Sequence, residues 1–251
     1  METLYWIIGA SIFGGIFSLI GGLFLLYKEN LARRLSLYLV SFAIGALLGA
    51  AFFDLIPEAL KLNGNMLRQN LILGSVLLGF LTLFIFEKFL KWHHCHDEEK
   101  CETHTFTSTV IFGDAIHNFI DGVIIVLSFL VSIPVGIATS LAVFFHEIPQ
   151  EIGDFGVLLH AGYSRRRVVI INLLSSLATP LGAIIAFLAA PLFINKLPFL
   201  LSFAAGSFIY IAATDLLPHI HRKTKGSDFS HFFIIVLGIL AIFSIGILLP
   251  E

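Results

Sequence analysis

Charge is scarce in this sequence. Asp, Glu, Lys and Arg make up 13% of its 251 residues, and no lysine or arginine stands deep in any of its long apolar runs. That excludes an ordinary soluble domain, whose surface needs far more charge, and no nucleic-acid partner is expected. Sulfur is scarcer still, with two cysteines and two methionines. Cys95 and Cys101 lie in one hydrophilic segment and make no disulfide framework, and they read as thiols in a reducing compartment. No Cys or Met enters an apolar run beyond Met1, which argues against Cu(I), an ion that favours soft sulfur ligands.

What is abundant is apolar surface: 57% hydrophobic residues and a mean hydropathy of +0.95. Runs of spanning length, about 20 residues, fall at 4–27, 35–60, 71–90, 106–131, 135–160, 168–190, 198–219 and 232–249. They predict an all-α membrane protein of eight transmembrane helices, one domain over 1–251, with a cytoplasmic His/Cys-containing loop at 91–105. The first run is too long, and lacks the basic start, to read as a cleaved signal peptide. Odd-numbered loops hold twelve Lys and Arg against three in the even-numbered ones, so the odd loops are expected in the cytoplasm and both termini outside. The 26 phenylalanines read as lipid-facing packing.

Eight carboxylates do stand at depth: Asp54, Glu58, Asp114, Asp121, Glu147, Glu151, Asp154 and Asp215. Unbalanced negative charge in a bilayer needs protons or cations to neutralise it, and a cation path is the simplest account. The groups occur on spans 2, 4, 5 and 7, which predicts an inner bundle of those four. At about 100° per residue, Asp114, His117, Asn118 and Asp121 share one helix face, as do His146, Glu147, Gln150, Glu151 and Asp154. His117 with Asp121 and His146 with Gln150 are i, i+4 pairs that can point at a common ion, while Asn118 and Glu147 can hold a second beside it. Pro149 is expected to loosen the helix there and free the Phe145 carbonyl. Asn172, Ser175, Ser176 and Thr179 read as interhelical hydrogen-bonding groups.

An internal repeat accompanies these motifs. GALLGAAFFDLIPEA from Gly45 and GSFIYIAATDLLPHI from Gly206 align at an offset of 161, pairing Asp54 with Asp215, Pro57 with Pro218 and Glu58 with His219. Five spans lie between, so the copies run in opposite directions, as in an inverted repeat of spans 1–3 and 6–8 around a central pair, a 3+2+3 arrangement.

The segments HNFIDG and HEIPQEIGD closely resemble the signature of the ZIP (Zrt/Irt-like) metal transporters, in the subgroup whose fifth span reads HExPxExGD. The resemblance runs through essentially the whole chain. It implies uptake of Zn(II), and often Fe(II), Mn(II) or Cd(II), into the cytoplasm, with no organic cofactor. It also implies His117, Asp121 and His146 as ligands of a primary site and Asn118 and Glu147 as ligands of a second. Gln150 departs from the usual His or carboxylate, Thr179 from a carboxylate, and His219 from a Glu. Asp54, Glu58, Asp114, Asp154, Asp215 and His219 are expected as waypoints along the path. His93, His94, Cys95, His96, Cys101 and His104 are expected to capture metal in the loop. The partners are then divalent ions and the lipid bilayer, with a homodimer as the assembly to test. Two other readings stand beside transport: an intramembrane zinc hydrolase, since His146-Glu147-x-x-Gln150 is one residue short of HExxH, and a metal sensor or channel of the same fold.

Overall fold

The computed structural model describes residues 2–62, 66–94, 103–223 and 229–248. Cys95, His96 and Cys101 lie outside them, as do the side chains of His93, His94 and His104. Among the described residues all regular structure is helical and forms eight rods. Rod α1 (residues 2–27) joins Glu2–Gly15 to Ile20–Tyr27 through a 3-10 turn, and α2 (29–61) joins Glu29–Gly49 to Ile56–Lys61 through a π turn at Ala50–Leu55. Rods α3 (Met66–His94), α4 (Thr103–Phe129) and α5 (Ile133–His160) follow. Rod α6 (165–193) contains Arg165–Ser176 and Ala178–Phe193; α7 (197–223) contains Leu197–Tyr210, a π turn at Ile211–Leu216 and Leu217–Lys223; α8 is Ser230–Leu248.

Six stretches are long and apolar enough to cross a membrane: Thr3–Tyr27, Glu29–Lys61, Gln69–Phe89, Ile111–Phe129, Arg165–Arg222 and Ser230–Leu248. Arg165–Arg222 contains both α6 and α7, joined by a 3-10 turn at Ile194–Lys196. Rod α5 is not among the six, and it is the rod that carries His146, Glu147, Gln150, Glu151 and Asp154. Large apolar side chains face outward along α3 and α8, including Leu77, Leu78, Ile85, Phe232, Phe233 and Ile247. Such faces suit hydrocarbon and would aggregate in water.

The rods approach one another through glycines. A β-carbon on Gly45 would lie 2.0 Å from the Ile235 carbonyl oxygen, on Gly206 1.9 Å from Val76 O, and on Gly122 2.0 Å from Thr179 O. Backbones that close have no room for any side chain, which is how membrane helices gain dispersion contacts without a hydrophobic driving force. The resulting pairs are α2 with α8, α3 with α7 and α4 with α6, while Gly21 and Gly22 seat α1 against Ile148 and Phe155 of α5. Among the membrane-length stretches the most buried belong to α2 and α4, at 67% and 50%, two of the rods expected to form the inner bundle of spans 2, 4, 5 and 7. In α1 44% of the most apolar stretch is buried, close to 50% for α4, because that glycine face lies on α5 and Gly15 abuts α6.

The helix ends follow local rules. Ser132 caps α5 through the Val135 N–H. At the other end Gly162, with φ +86°, sits where the Tyr163 N–H returns to Leu158 O and its own N–H to Leu159 O, a Schellman stop. Gly162→Ala places a β-carbon in the left-handed region and is expected to cost about 1 kcal/mol, read as a lower thermal midpoint. The two π turns precede Pro57 and Pro218. Each proline removes one donor and crowds the carbonyl four residues earlier, Phe53 or Thr214, which lies inside the widened turn.

Candidate metal centre

Rods α4 and α5 cross so that His117, Asp121, His146 and Glu147 bring one ligand atom each within 4.8 Å of all the others. His117 Nε2 and His146 Nε2 are 3.0 Å apart, and Asp121 Oδ2 is 3.5 and 3.1 Å from them. Glu147 Oε1 is 3.4 Å from His117 Nε2 and 3.7 Å from His146 Nε2. A tetrahedral zinc with bonds of 2.0–2.2 Å has ligand-to-ligand edges of about 3.3–3.6 Å. The five edges that involve an imidazole run from 3.0 to 3.7 Å, close to that size.

The tautomer of His146 is set by its own helix. Its Nδ1 is 3.0 Å from the Ala142 carbonyl one turn earlier, and a carbonyl only accepts, so Nδ1 carries the proton and Nε2 offers a lone pair. That lone pair meets His117 Nε2 at 3.0 Å, a separation that requires a proton or a cation between the two nitrogens. Around them, Asp121 Oδ2 and both oxygens of Glu147 are buried without a hydrogen-bond donor. Buried carboxylate oxygens left so are costly unless a cation satisfies them. His146 and Glu147 are fully buried, Asp121 nearly so, and only His117 reaches solvent, with 21% of its side chain exposed. Phe208 of α7 stands behind the His146 ring, with centroids 6.4 Å apart.

Of the seven residues read from sequence as ligands, the structure therefore brings four together. Glu147, assigned by resemblance to a second position, shares the primary cluster. Asn118, Gln150 and Glu151 make hydrogen bonds beside the cluster, and Glu151 keeps one buried oxygen, Oε2, without a donor. Asn118 donates to Asp114 and accepts from Thr179 Oγ1 at 2.8 Å; Gln150 donates to Asp114 at 3.1 Å; Glu151 accepts from Ser176 at 3.0 Å. Rod α5 stays helical through Pro149. Asp114 and Asp154 line one small void with Asn172 and Ser175. Asp54 and Glu58 are buried, Glu58 pairing with Lys61, while Asp215 and His219 are exposed.

Two contributions escaped the sequence. The Ala142 carbonyl that orients His146 has no side-chain signal at all. Glu87, in a rod read as carrying no ionisable group at depth, accepts the Tyr210 hydroxyl of α7. The hydroxyl groups of α6 do bridge helices as expected, since Ser175, Ser176 and Thr179 reach Asp114, Glu151 and Asn118, whereas Asn172 bonds only to its own helix at Val168 O.

Fold and site together define a multi-pass α-helical membrane protein with a buried cluster of groups that could hold a metal ion. A family profile described as ZIP Zinc transporter matches residues 3–105 and 91–246. The chain belongs to that family. It is 39% identical over 144 residues to the zinc transporter ZIP10 of Danio rerio, covering 56% of this chain and 17% of that protein. It is 29% identical over 297 residues to the metal cation symporter ZIP14 of Xenopus tropicalis, covering 89% and 64%. It is also 39% identical over 140 residues to the zinc transporter ZIP4 of Homo sapiens, covering 56% and 22%. The chain spans less than two thirds of the length of each of these relatives.

Proposed function

We propose that this protein moves divalent metal cations, Zn(II) foremost and Fe(II), Mn(II) or Cd(II) as further substrates, across a membrane into the cytoplasm. The observation that carries the reading is the set of three buried, donorless carboxylate oxygens of Asp121 and Glu147 facing two imidazoles at tetrahedral spacing. Relatives named as zinc transporters and as a metal cation symporter agree with it. The hydrolase reading loses its ground, because Gln150 stands in the place of the second HExxH histidine and directs its side-chain nitrogen to Asp114. The test is uptake of radioactive zinc into proteoliposomes that contain only the purified chain. Zinc that stays outside overturns the proposal.

In this reading the eight rods all cross the bilayer as a 3+2+3 inverted repeat. Several features support it. The π turns at Ala50–Leu55 and Ile211–Leu216 fall at the 161-residue offset, and so do Gly21 and Gly182, which abut Ile148 O and Phe119 O. Gly238 abuts Phe42 O as Gly79 abuts Phe203 O, and the two accepting phenylalanines are again 161 residues apart. His117 and His146 are then the counterparts nearest the pseudo-axis, where a midplane substrate site belongs.

Two sets of rods pack among themselves, α1 with α4, α5 and α6, and α2 with α3, α7 and α8, and the face between α2 and α5 is the main contact that joins them. Transport follows as rocking or elevator-like motion of one group against the other. With Lys- and Arg-rich odd loops cytoplasmic and both termini outside, Asp54 and Glu58 mark an extracytoplasmic entrance that is closed here. Asp215 and His219 mark an exit open to the cytoplasm. A cysteine at Gly162, on a cytoplasmic loop in this orientation, is expected to react with impermeant maleimide only after the membrane is opened; labelling from outside reverses the topology.

Loop residues His93, His94, Cys95, His96, Cys101 and His104 capture metal at the cytoplasmic face, outside the conduction path. Replacing them all with serine is expected to alter metal sensitivity or turnover in cells while the purified variant keeps its maximal uptake rate. Uptake lost in the purified variant places the loop in the path. The same apolar outer faces leave a homodimer open to test by cross-linking in the membrane.

A further inference from the structure

Asp114 is where α4, α5 and α6 meet through polar groups. Its Oδ1 accepts Asn118 Nδ2 and Gln150 Nε2, each at 3.1 Å, and its Oδ2 accepts the Ser175 hydroxyl. Its backbone oxygen takes Asn118 Nδ2 as well, at 3.1 Å. Both oxygens of Asp114 act as acceptors here, and the amides turn their nitrogens toward it. The Asn118 oxygen then faces the other way and accepts Thr179 Oγ1 at 2.8 Å. Both ends of Asn118 are used. This network is buried: Asp114 is 7% exposed, Asn118 and Thr179 not at all, and Ser175 4%.

The arrangement bears on how many ions the centre holds. A second ion beside the first needs several oxygens from groups next to the four clustered ligands; Glu151 offers one donorless oxygen, Oε2, and the others would have to come from the amides Asn118 and Gln150, adjacent in sequence to His117 and one turn on from His146. The Asn118 oxygen is engaged by a hydroxyl, and the Gln150 nitrogen is directed to Asp114. We propose that Asp114 is the positioning residue of the centre: it locks Asn118 and Gln150 as hydrogen-bond donors, holds α4 and α5 in register, and keeps the site to a single ion. The proposal rests on the reading that His117, Asp121, His146 and Glu147 form the transport site. Asp114 acts through its neighbours and is not a ligand. Outer groups of this kind orient ligands, and their loss weakens metal affinity by roughly 10–100-fold.

The test is a Co(II) titration of the purified full chain in detergent, followed by visible absorption of the bound ion, whose band shape reports coordination. A His117→Ala/His146→Ala double variant supplies the background from the loop and the other histidines. One ion per chain is expected to disappear with that double substitution. In Asp114→Ala the affinity of the centre is expected to fall roughly tenfold and the band to change shape, with Asp114→Asn, which can still accept one amide, falling between. Should Asp114→Ala fail to fold, Ser175→Ala removes a single bond to the same carboxylate and is expected to shift affinity in the same direction by less. Two ions lost in the double variant overturns the proposal alone, as does an unmoved band and affinity in the Asp114 and Ser175 variants. No ion lost in the double variant overturns the metal-centre reading and this proposal with it.

Discussion

Zinc uptake into proteoliposomes is expected to fall by more than roughly a hundredfold when His146 is replaced by alanine, with the protein still inserted and monodisperse. Loss of an outer-sphere partner alone costs 10–100-fold in affinity, and His146 is closer than that. It is fully buried, its Nδ1 is spent on Ala142 O, and its Nε2 faces Asp121 and His117. Alanine removes the lone pair and leaves two carboxylates facing a hole. Gln150→Ala is expected to be clearly milder, because Gln150 donates to Asp114 and offers at most a neutral amide oxygen to an ion. Initial rates of radioactive zinc entry decide both. Equal damage from the two substitutions removes the distinction drawn between ligand and support.

The second large effect concerns folding. Gly206→Ala would set a β-carbon 1.9 Å from Val76 O, and backbone cannot yield as a flexible side chain can. Rods α3 and α7 must then separate along their whole contact, and Phe208, two residues on, loses its place behind His146. The expected cost is about 3 kcal/mol, the upper end for overpacking, seen as a markedly lower thermal midpoint or as failure to accumulate. Gly74, on the same α3 rod, has nothing within 4 Å of an added β-carbon. Gly74→Ala is therefore expected to hold or raise the midpoint, by up to about 1 kcal/mol in stability. If both variants melt alike, close backbone approach does not hold this bundle together.

The polar face of each central helix was legible in the sequence because helical periodicity puts i and i+4 groups on one side, and a bilayer leaves few reasons for a buried carboxylate. His117, Asp121 and His146 could be named on that ground together with the motif resemblance. The 161-residue offset behind the proposed repeat was legible through Asp54 and Asp215, each three residues before a proline. Its π turns were not, since α and π turns place the same apolar residues and differ only in which carbonyl each N–H finds.

What the sequence by itself determined is that this chain is a helical membrane protein with metal-ligating groups at depth, since composition and period depend on nothing beyond neighbouring residues. Which of those groups converge on one point was decided only in three dimensions. Glu147 and Asn118 sit at similar angles on their helices, yet the crossing of α4 and α5 turns Glu147 into the cluster while Asp114 and Thr179, from α4 and α6, hold Asn118 out of it. The physical reason is that side-chain partners across helices depend on crossing geometry, and that geometry comes from glycine contacts such as Gly122 on Thr179 O and Gly21 on Ile148 O, formed between residues 57 and 127 positions apart.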